Sequence, residues 1–425
     1  MATTTNPRPA TPEDLELLRG RFPALQDSDE VLLDNAGGSQ VPLEVIEEVG
    51  RYMREDYVQL GADYTRSRRA TAMVERAHGV ARALVNAGDR GEVILGMSTS
   101  SLCATLADAH RRSARGAEER PTVIVAEGGH EANIGPWVRL AEEGWEVRMW
   151  AAREDGSTHL EDLEALLDGS VRLVAMHHVS NLLGTVEDVA GAARLAHAHG
   201  ARIVADGVAF APHRAVDVQA LGVDWYVFST YKVYGPHLAV LYGSHDALAE
   251  LEGPNHYFVP GDEVPYKWEL GGVPHEGAAA LVGTGRYLAR VAGVQPEEEL
   301  SRQTVEAAFG RMAELELPLQ ERLLGWLTER DDLRIIGLPG SGLERVPTVS
   351  FVHGTLDSGD IARAANSEGL CIRYGHFYAH RLAERLGLDP ADGVVRTSMV
   401  HYNTPGEIEQ LLEALGRILD GAAAS

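Results

Sequence analysis

Two rhythms of apolar residues alternate along this chain. Short continuous runs rich in Val, Ile, Leu and Ala predict strands at Glu92 to Leu95, Thr122 to Ala126, Trp145 to Trp150, Val171 to His177, Arg202 to Ala205 and Trp225 to Phe228. Between most of them the apolar positions recur at helical spacing, over Ser101 to Ser113, Glu131 to Glu143, Leu160 to Leu167 and Ala190 to His199. Strands that alternate with helices build a mainly parallel sheet covered on both faces, and such a sheet binds its ligand at the carboxyl ends of the strands. Upstream, Thr11-Pro12-Glu13-Asp14 reads as a helix start, with Thr as N-cap, Pro in the first turn and acids at the positive dipole end. Val31 to Asp34 is a short strand entering the turn Asn35-Ala36-Gly37-Gly38, and Leu43 to Tyr57 and Ala70 to Asn86 are helical.

After Gly277 the rhythm changes. Long helices over Ala278 to Ala292 and Glu297 to Glu329 lead into strands at Leu333 to Gly337, Thr348 to Val352 and Val394 to Val400, the pattern of a smaller α+β domain. The expected division is therefore an amino-terminal helical segment (1–30), a large α/β domain (31–290) and a small carboxyl-terminal domain (291–425). The only low-complexity stretch is the tail Gly421-Ala422-Ala423-Ala424-Ser425.

Composition changes this picture little. With 425 residues and 44% hydrophobic content the chain has enough apolar material for two domains. A formal charge of −25 argues against nucleic acid and anionic membranes as partners. Cys103 and Cys371 are too few for a disulfide framework and lack metal-ligand spacing, so no metal is expected and both read as structural thiols. The residues from Met1 to Ala10 contain no apolar export core, and no run approaches the roughly 18 apolar residues that cross a bilayer. The expected location is the cytoplasm.

The chemistry gathers around Lys232. It lies in Ser229-Thr230-Tyr231-Lys232-Val233-Tyr234-Gly235-Pro236, just past a predicted strand end, and Asp206 closes a neighbouring strand. An amine and a carboxylate so placed suit an imine to an aldehyde cofactor whose ring nitrogen is kept protonated by the acid. Gly96-Met97-Ser98-Thr99-Ser100-Ser101 joins a strand to a helix, where free N–H groups and hydroxyls can cradle phosphate or merely cap the helix.

Val204-Ala205-Asp206-Gly207-Val208-Ala209-Phe210-Ala211-Pro212-His213-Arg214, followed by Ser229-Thr230-Tyr231-Lys232, resembles the class V aminotransferase superfamily, and most of all its cysteine-desulfurase-like branch. The resemblance runs from about Asp34 to Thr404 and implies pyridoxal phosphate as cofactor, fold type I, an amino-acid substrate and a homodimer. It implies that Lys232 binds the cofactor aldehyde and Asp206 the ring nitrogen, and that Asn181, in His178-Val179-Ser180-Asn181-Leu182-Leu183-Gly184-Thr185, donates to the phenolic oxygen. His130, in Gly129-His130-Glu131-Ala132-Asn133, would stack on the ring and move a proton near the substrate β-carbon. Thr99, Ser100 and Ser229 would hold phosphate. Arg396 would clamp the substrate α-carboxylate, with Arg373 a second candidate and Asn35 approaching from the amino-terminal loop.

Four positions depart from the family pattern. Tyr378 stands where desulfurases carry their nucleophilic cysteine, Ala209 where a Gln is usual, Tyr231 where a His precedes the lysine, and Val273 where a partner subunit's Thr would offer a hydroxyl to phosphate. The Tyr231 hydroxyl is expected to reach the phosphate instead. Without a thiolate to accept sulfur, desulfuration lacks its acceptor. The expected activity is carbon–sulfur lysis by β-elimination on cysteine or a cysteine S-conjugate, with His130 or Tyr378 protonating the leaving thiolate. Aminotransferase, epimerase and decarboxylating oxidative deaminase chemistry are the alternatives, and cysteine desulfurase ranks below them. Enzymes of this branch tailor sulfur-containing natural products, which sets the pathway class the resemblance implies. A fold that binds the cofactor or a partner without turnover is the non-enzymatic alternative.

Overall fold

The computed structural model describes residues 11–26, 28–114, 120–295 and 300–423. The first ten positions of the amino-terminal segment, residues 297–299 of the expected long helix and the last two of the tail lie outside them. The strands among the described residues are β1 (Val31–Leu32), β2 (Gly91–Gly96), β3 (Thr122–Ala126), β4 (Glu146–Trp150), β5 (Val171–His177), β6 (Arg202–Asp206), β7 (Trp225–Ser229), β8 (Ala239–Ser244), β9 (Leu333–Ile336), β10 (Thr348–His353), β11 (Leu370–Cys371), β12 (Arg373–Gly375) and β13 (Val394–Ser398).

Seven of them form one sheet in the order β2-β8-β7-β6-β5-β3-β4. Only β8 runs against the others, pairing antiparallel with both β2 and β7. It is the strand of this sheet that the periodicity did not announce, as it did not announce β11 and β12 elsewhere. Its apolar run follows the Gly235-Pro236 turn so closely that local pattern does not separate it from the Lys232 loop. Elsewhere the sheet is parallel and buried on both faces. Ile124, Val174, Ile203 and Ala205 pack into one core, under helices Thr65–Val85, Val189–Ala198 and His275–Val291. Their neighbours Val123, Val125, Leu173 and Val204 point into the other, under helix Thr99–Ser113. Burial on both sides explains why these strands read as continuous apolar runs and not as alternations.

The expected helix Glu131 to Glu143 is broken into a 3-10 turn (Glu131–Asn133), one α turn (Gly135–Val138) and a second 3-10 turn (Arg139–Glu143). Pro136 has no N–H to donate back to residue 132, so a continuous ladder cannot run through it. The amino-terminal helix Pro12–Arg19 is capped as its sequence predicts, with the Thr11 hydroxyl accepting from Asp14 N–H.

Strands β12-β13-β10-β9 make a separate antiparallel sheet, backed by helices Arg302–Thr328, Ser358–Ser367 and Pro405–Ala423. Strand β1 pairs in parallel with β11, and Val31 and Leu33 join the core of this unit. The chain therefore touches the carboxyl-terminal unit before it enters the large sheet. No helix among the described residues is long and apolar enough to cross a membrane.

Candidate active site

The carboxyl ends of β5, β6 and β7 converge. His177 ends β5, Asp206 ends β6 and Ser229 ends β7, with Lys232 on the 3-10 turn Thr230–Lys232 just beyond. Parallel strands in register place these ends on one edge: His177 pairs with Asp206, and Asp206 with Val227. They open into a cleft also lined by Thr99, Ser100, His130, Asn181, Ala209 and Tyr231. Eight residues expected at the cofactor from sequence are thus brought together: Lys232, Asp206, Asn181, His130, Thr99, Ser100, Ser229 and Tyr231.

Asp206 is fully enclosed. Its Oδ1 accepts from Val208 N–H at 2.9 Å. Burial raises its pKa, opposed by that hydrogen bond and by the positive charge of Lys232. Behind it Gly207 leaves room for Tyr226, whose hydroxyl reaches His178 Nδ1 at 2.8 Å; a Cβ on Gly207 would sit 2.0 Å from that oxygen. Burial, and then the charge of Arg396, bring Lys232 down to about 8, while Asp206 and Asp34 pull the other way. His130 is lowered to about 4 by burial, Lys232 and Arg396. Its Nδ1 accepts from Ala132 N–H at 3.0 Å, so the neutral ring carries its proton on Nε2.

At the other end of the cleft helix Thr99–Ser113 begins. Ser98 caps it, its hydroxyl accepting from Ser101 N–H. The Thr99 and Ser229 hydroxyls lie 2.7 Å apart, joining the helix start to the tip of β7. Tyr231 stacks on His237 with ring centroids 4.9 Å apart. Hydroxyls and helix amides facing one pocket make a phosphate cradle.

Arg396 sits on β13, 2% exposed, with Nη2 3.0 Å from Asp34 Oδ1 and Nη1 donating to Asn181 O at 3.2 Å. Burial brings its pKa down to about 10. Arg373 is exposed and reaches the other Asp34 oxygen at 3.5 Å. Asn35 does not face the cleft. Its amide donates to Leu32 O, Ser398 O and Asn403 Oδ1, and its oxygen accepts from Tyr402, so its polar atoms are spent inside the fold. Tyr378 is exposed, its ring 5.0 Å from that of His130. Cys103 is buried, its thiol pushed well up by that burial, and Cys371 is half-buried. Val273 is buried in the same core as Ile124 and Val174, against one face of the large sheet.

Sequence reasoning missed His177 and Asp34. His177 lines the cleft beside Asp206 with its Nδ1 lacking a partner. Its signal was its place at the end of an apolar run, the same signal that marks Asp206. Asp34 bridges two arginines that lie far from it in the chain, which no local pattern reveals.

The residues present fit pyridoxal phosphate. Asn181 Oδ1 and His177 Nδ1 are buried polar atoms with no partner among the described residues, and both belong to side chains lining the cleft. A buried polar atom left without a partner is costly, and a polar ligand in the cleft would relieve that cost. An enclosed carboxylate, a lysine of lowered pKa and a helix start with two hydroxyls match the ring nitrogen, aldehyde and phosphate of that molecule.

Comparison with known proteins agrees. Residues 31–411 match the family described as Aminotransferase class-V. The chain is 37% identical to the aminotransferase-like protein FGM3 of Gibberella zeae, over 95% of this chain and 98% of that one. It is 31% identical to a cysteine desulfurase of Dickeya dadantii, over 95% and 96%. Its fold matches a cysteine desulfurase structure from Thermococcus onnurineus with a TM-score of 0.83, 24% identity and coverage of 97% of this chain and 99% of that one. The fold is type I of the pyridoxal-phosphate enzymes, as the sequence resemblance implied.

Proposed function

Because this chain belongs to the class V aminotransferase family, and is with it a pyridoxal-phosphate-dependent enzyme, we propose that it is a carbon–sulfur lyase acting by β-elimination on cysteine or a cysteine S-conjugate. The observation that supports the reading is the pair His130 and Tyr378, an imidazole and a phenol with ring centroids 5.0 Å apart, at the position the sequence resemblance gives to a desulfurase's thiol. Cys103 is buried against Asn133, and its raised pKa keeps it a thiol, unfit to accept sulfur.

When bound, pyridoxal phosphate supplies an electron-withdrawing ring that acidifies the Cα–H of an attached amino acid. Thr99, Ser100, Ser229 and Tyr231 would hold its phosphate, Asp206 its ring nitrogen and Lys232 its aldehyde, and Asn181 would give its phenolic oxygen the second Nδ2–H, the first being donated to Phe377 O. Arg396 binds the α-carboxylate and so orients the Cα–H bond for removal. Asp34 gives up Nη2 as the substrate carboxylate arrives. Lys232 Nζ, set free when the substrate amine takes its place and held below its ordinary pKa by burial, would take the Cα proton. His130 Nε2–H donates to the departing thiolate, with the Tyr378 hydroxyl next to it. Water then hydrolyses the eliminated three-carbon fragment, so the products are pyruvate, ammonia and a thiol. A homodimer in the cytoplasm completes the proposal, testable for its assembly by light scattering.

The test mixes the purified holoprotein with cysteine, cysteine S-conjugates and common amino acids. The lyase gives pyruvate and free thiol in equal amounts. A keto acid that keeps the substrate skeleton, or alanine with reducible sulfur from plain cysteine, overturns the reading.

A further inference from the structure

The Arg396 guanidinium is covered on one face by an aromatic ring. Its Cζ lies 3.6 Å from the centroid of Phe377. In its own plane Nη1 is committed to Asn181 O and Nη2 to Asp34, while Nε has no partner. A planar guanidinium takes a carboxylate edge-on through two parallel N–H groups. The Nε–Nη2 edge, whose Nε–H has no partner among the described residues, can do so once Asp34 is displaced.

Phe377 reaches this place at a conformational cost. It and Tyr378 both have left-handed backbones, φ +48° and +61°, which bulky residues rarely adopt and which persist only where the surroundings impose them. Here the surroundings are specific. Asn181 Nδ2 donates to Phe377 O at 2.7 Å, and Tyr378 O accepts from Glu131 N–H at 2.9 Å. Asn181 thus holds Arg396 with its backbone oxygen and Phe377 with its side chain. The three residues close a circuit between the large sheet and the small domain. A residue needed only to fill space would not require this backbone.

We propose that Phe377 is a positioning residue for Arg396. Its ring fixes the guanidinium plane so that the Nε–Nη2 edge meets the incoming α-carboxylate, making the site selective for free amino acids over their amides and over simple amines. The proposal rests on the reading that Arg396 takes the α-carboxylate. Leucine would replace most of the volume of Phe377 but not its flat π face, whereas tyrosine keeps both.

The experiment titrates wild type, Phe377→Leu, Phe377→Tyr and Arg396→Gln holoproteins with L-alanine and with L-alaninamide, following the visible band of the cofactor. Phe377→Leu should weaken alanine about ten-fold, the scale of a desolvated cation–π contact, and leave alaninamide unchanged. Phe377→Tyr should bind alanine within about two-fold of wild type. All variants should keep the same cofactor band and far-ultraviolet circular dichroism. Equal weakening of both ligands, unchanged alanine affinity in Phe377→Leu, or a Phe377→Tyr as weak as Phe377→Leu would each overturn the positioning role. Unchanged alanine affinity in Arg396→Gln would instead overturn the carboxylate assignment beneath it.

Discussion

Lys232 offers the most direct quantitative test of the site. Its pKa falls from the ordinary 10.5 to about 8, first through burial and then through the charge of Arg396, against the pull of Asp206 and Asp34. At pH 7.5 a lysine of ordinary pKa is neutral in about one molecule in a thousand, whereas one at about 8 is neutral in about one in four. The difference is worth about 3 kcal/mol between the two protonation states, and only the neutral amine attacks an aldehyde. Cofactor-free protein mixed with pyridoxal phosphate should therefore develop its visible absorbance at a rate that rises with pH to a midpoint near 8. Replacing each charged neighbour fixes the sign. Asp206→Asn removes a negative charge and should lower the midpoint, while Arg396→Gln removes a positive one and should raise it. A midpoint near 10.5 in the wild type, or the same midpoint in all three proteins, would refute the electrostatic account of this lysine.

Other consequences are simpler to state. Asp206→Asn should reduce turnover at least about a hundredfold, the scale of losing one preorganised electrostatic partner, while the protein still binds cofactor; a loss under ten-fold would remove Asp206 from its role. Gly207→Ala should cost about 1–3 kcal/mol in urea unfolding by overpacking, and Tyr226→Phe should not rescue it, because ring carbons lie 2.1 and 2.3 Å from the added Cβ as well as the hydroxyl. Burial holds His178 and His401 down at about 3 and His110 at about 4. The unfolded chain then binds more protons than the folded one below about pH 6.5, so stability should fall as pH drops from there toward 4; a urea midpoint that stays flat from pH 7.5 to 5 would contradict this. Thr99→Ala should speed cofactor loss on dialysis by removing one of the two paired hydroxyls at the helix start.

Much of this protein is local. Short, mainly apolar runs such as Thr122–Ala126 and Val171–His177 predict strands buried on both faces, and their alternation with helices predicts the parallel sheet. That in turn places the last residue of every parallel strand on one edge, so Asp206 and the Lys232 turn fall into one cleft without any knowledge of the rest of the chain. What lies across the domains was not legible. Asp34 is drawn to Arg396 and Arg373 because β1 pairs with β11 and bridges to β13, a pairing of segments more than 300 residues apart. Asn35, beside it, is turned away and spent on Ser398 and Asn403 for the same reason. Strand β8 enters the sheet between β2 and β7 because its chain neighbour β7 and the distant β2 both accept it, not because its own pattern names it. Phe377 over Arg396 depends on a carbonyl caught by Asn181 from the other domain. Hydrophobic spacing and turn residues act over a few positions and so are written in the chain itself, whereas which groups meet across a fold is decided only when distant surfaces pack.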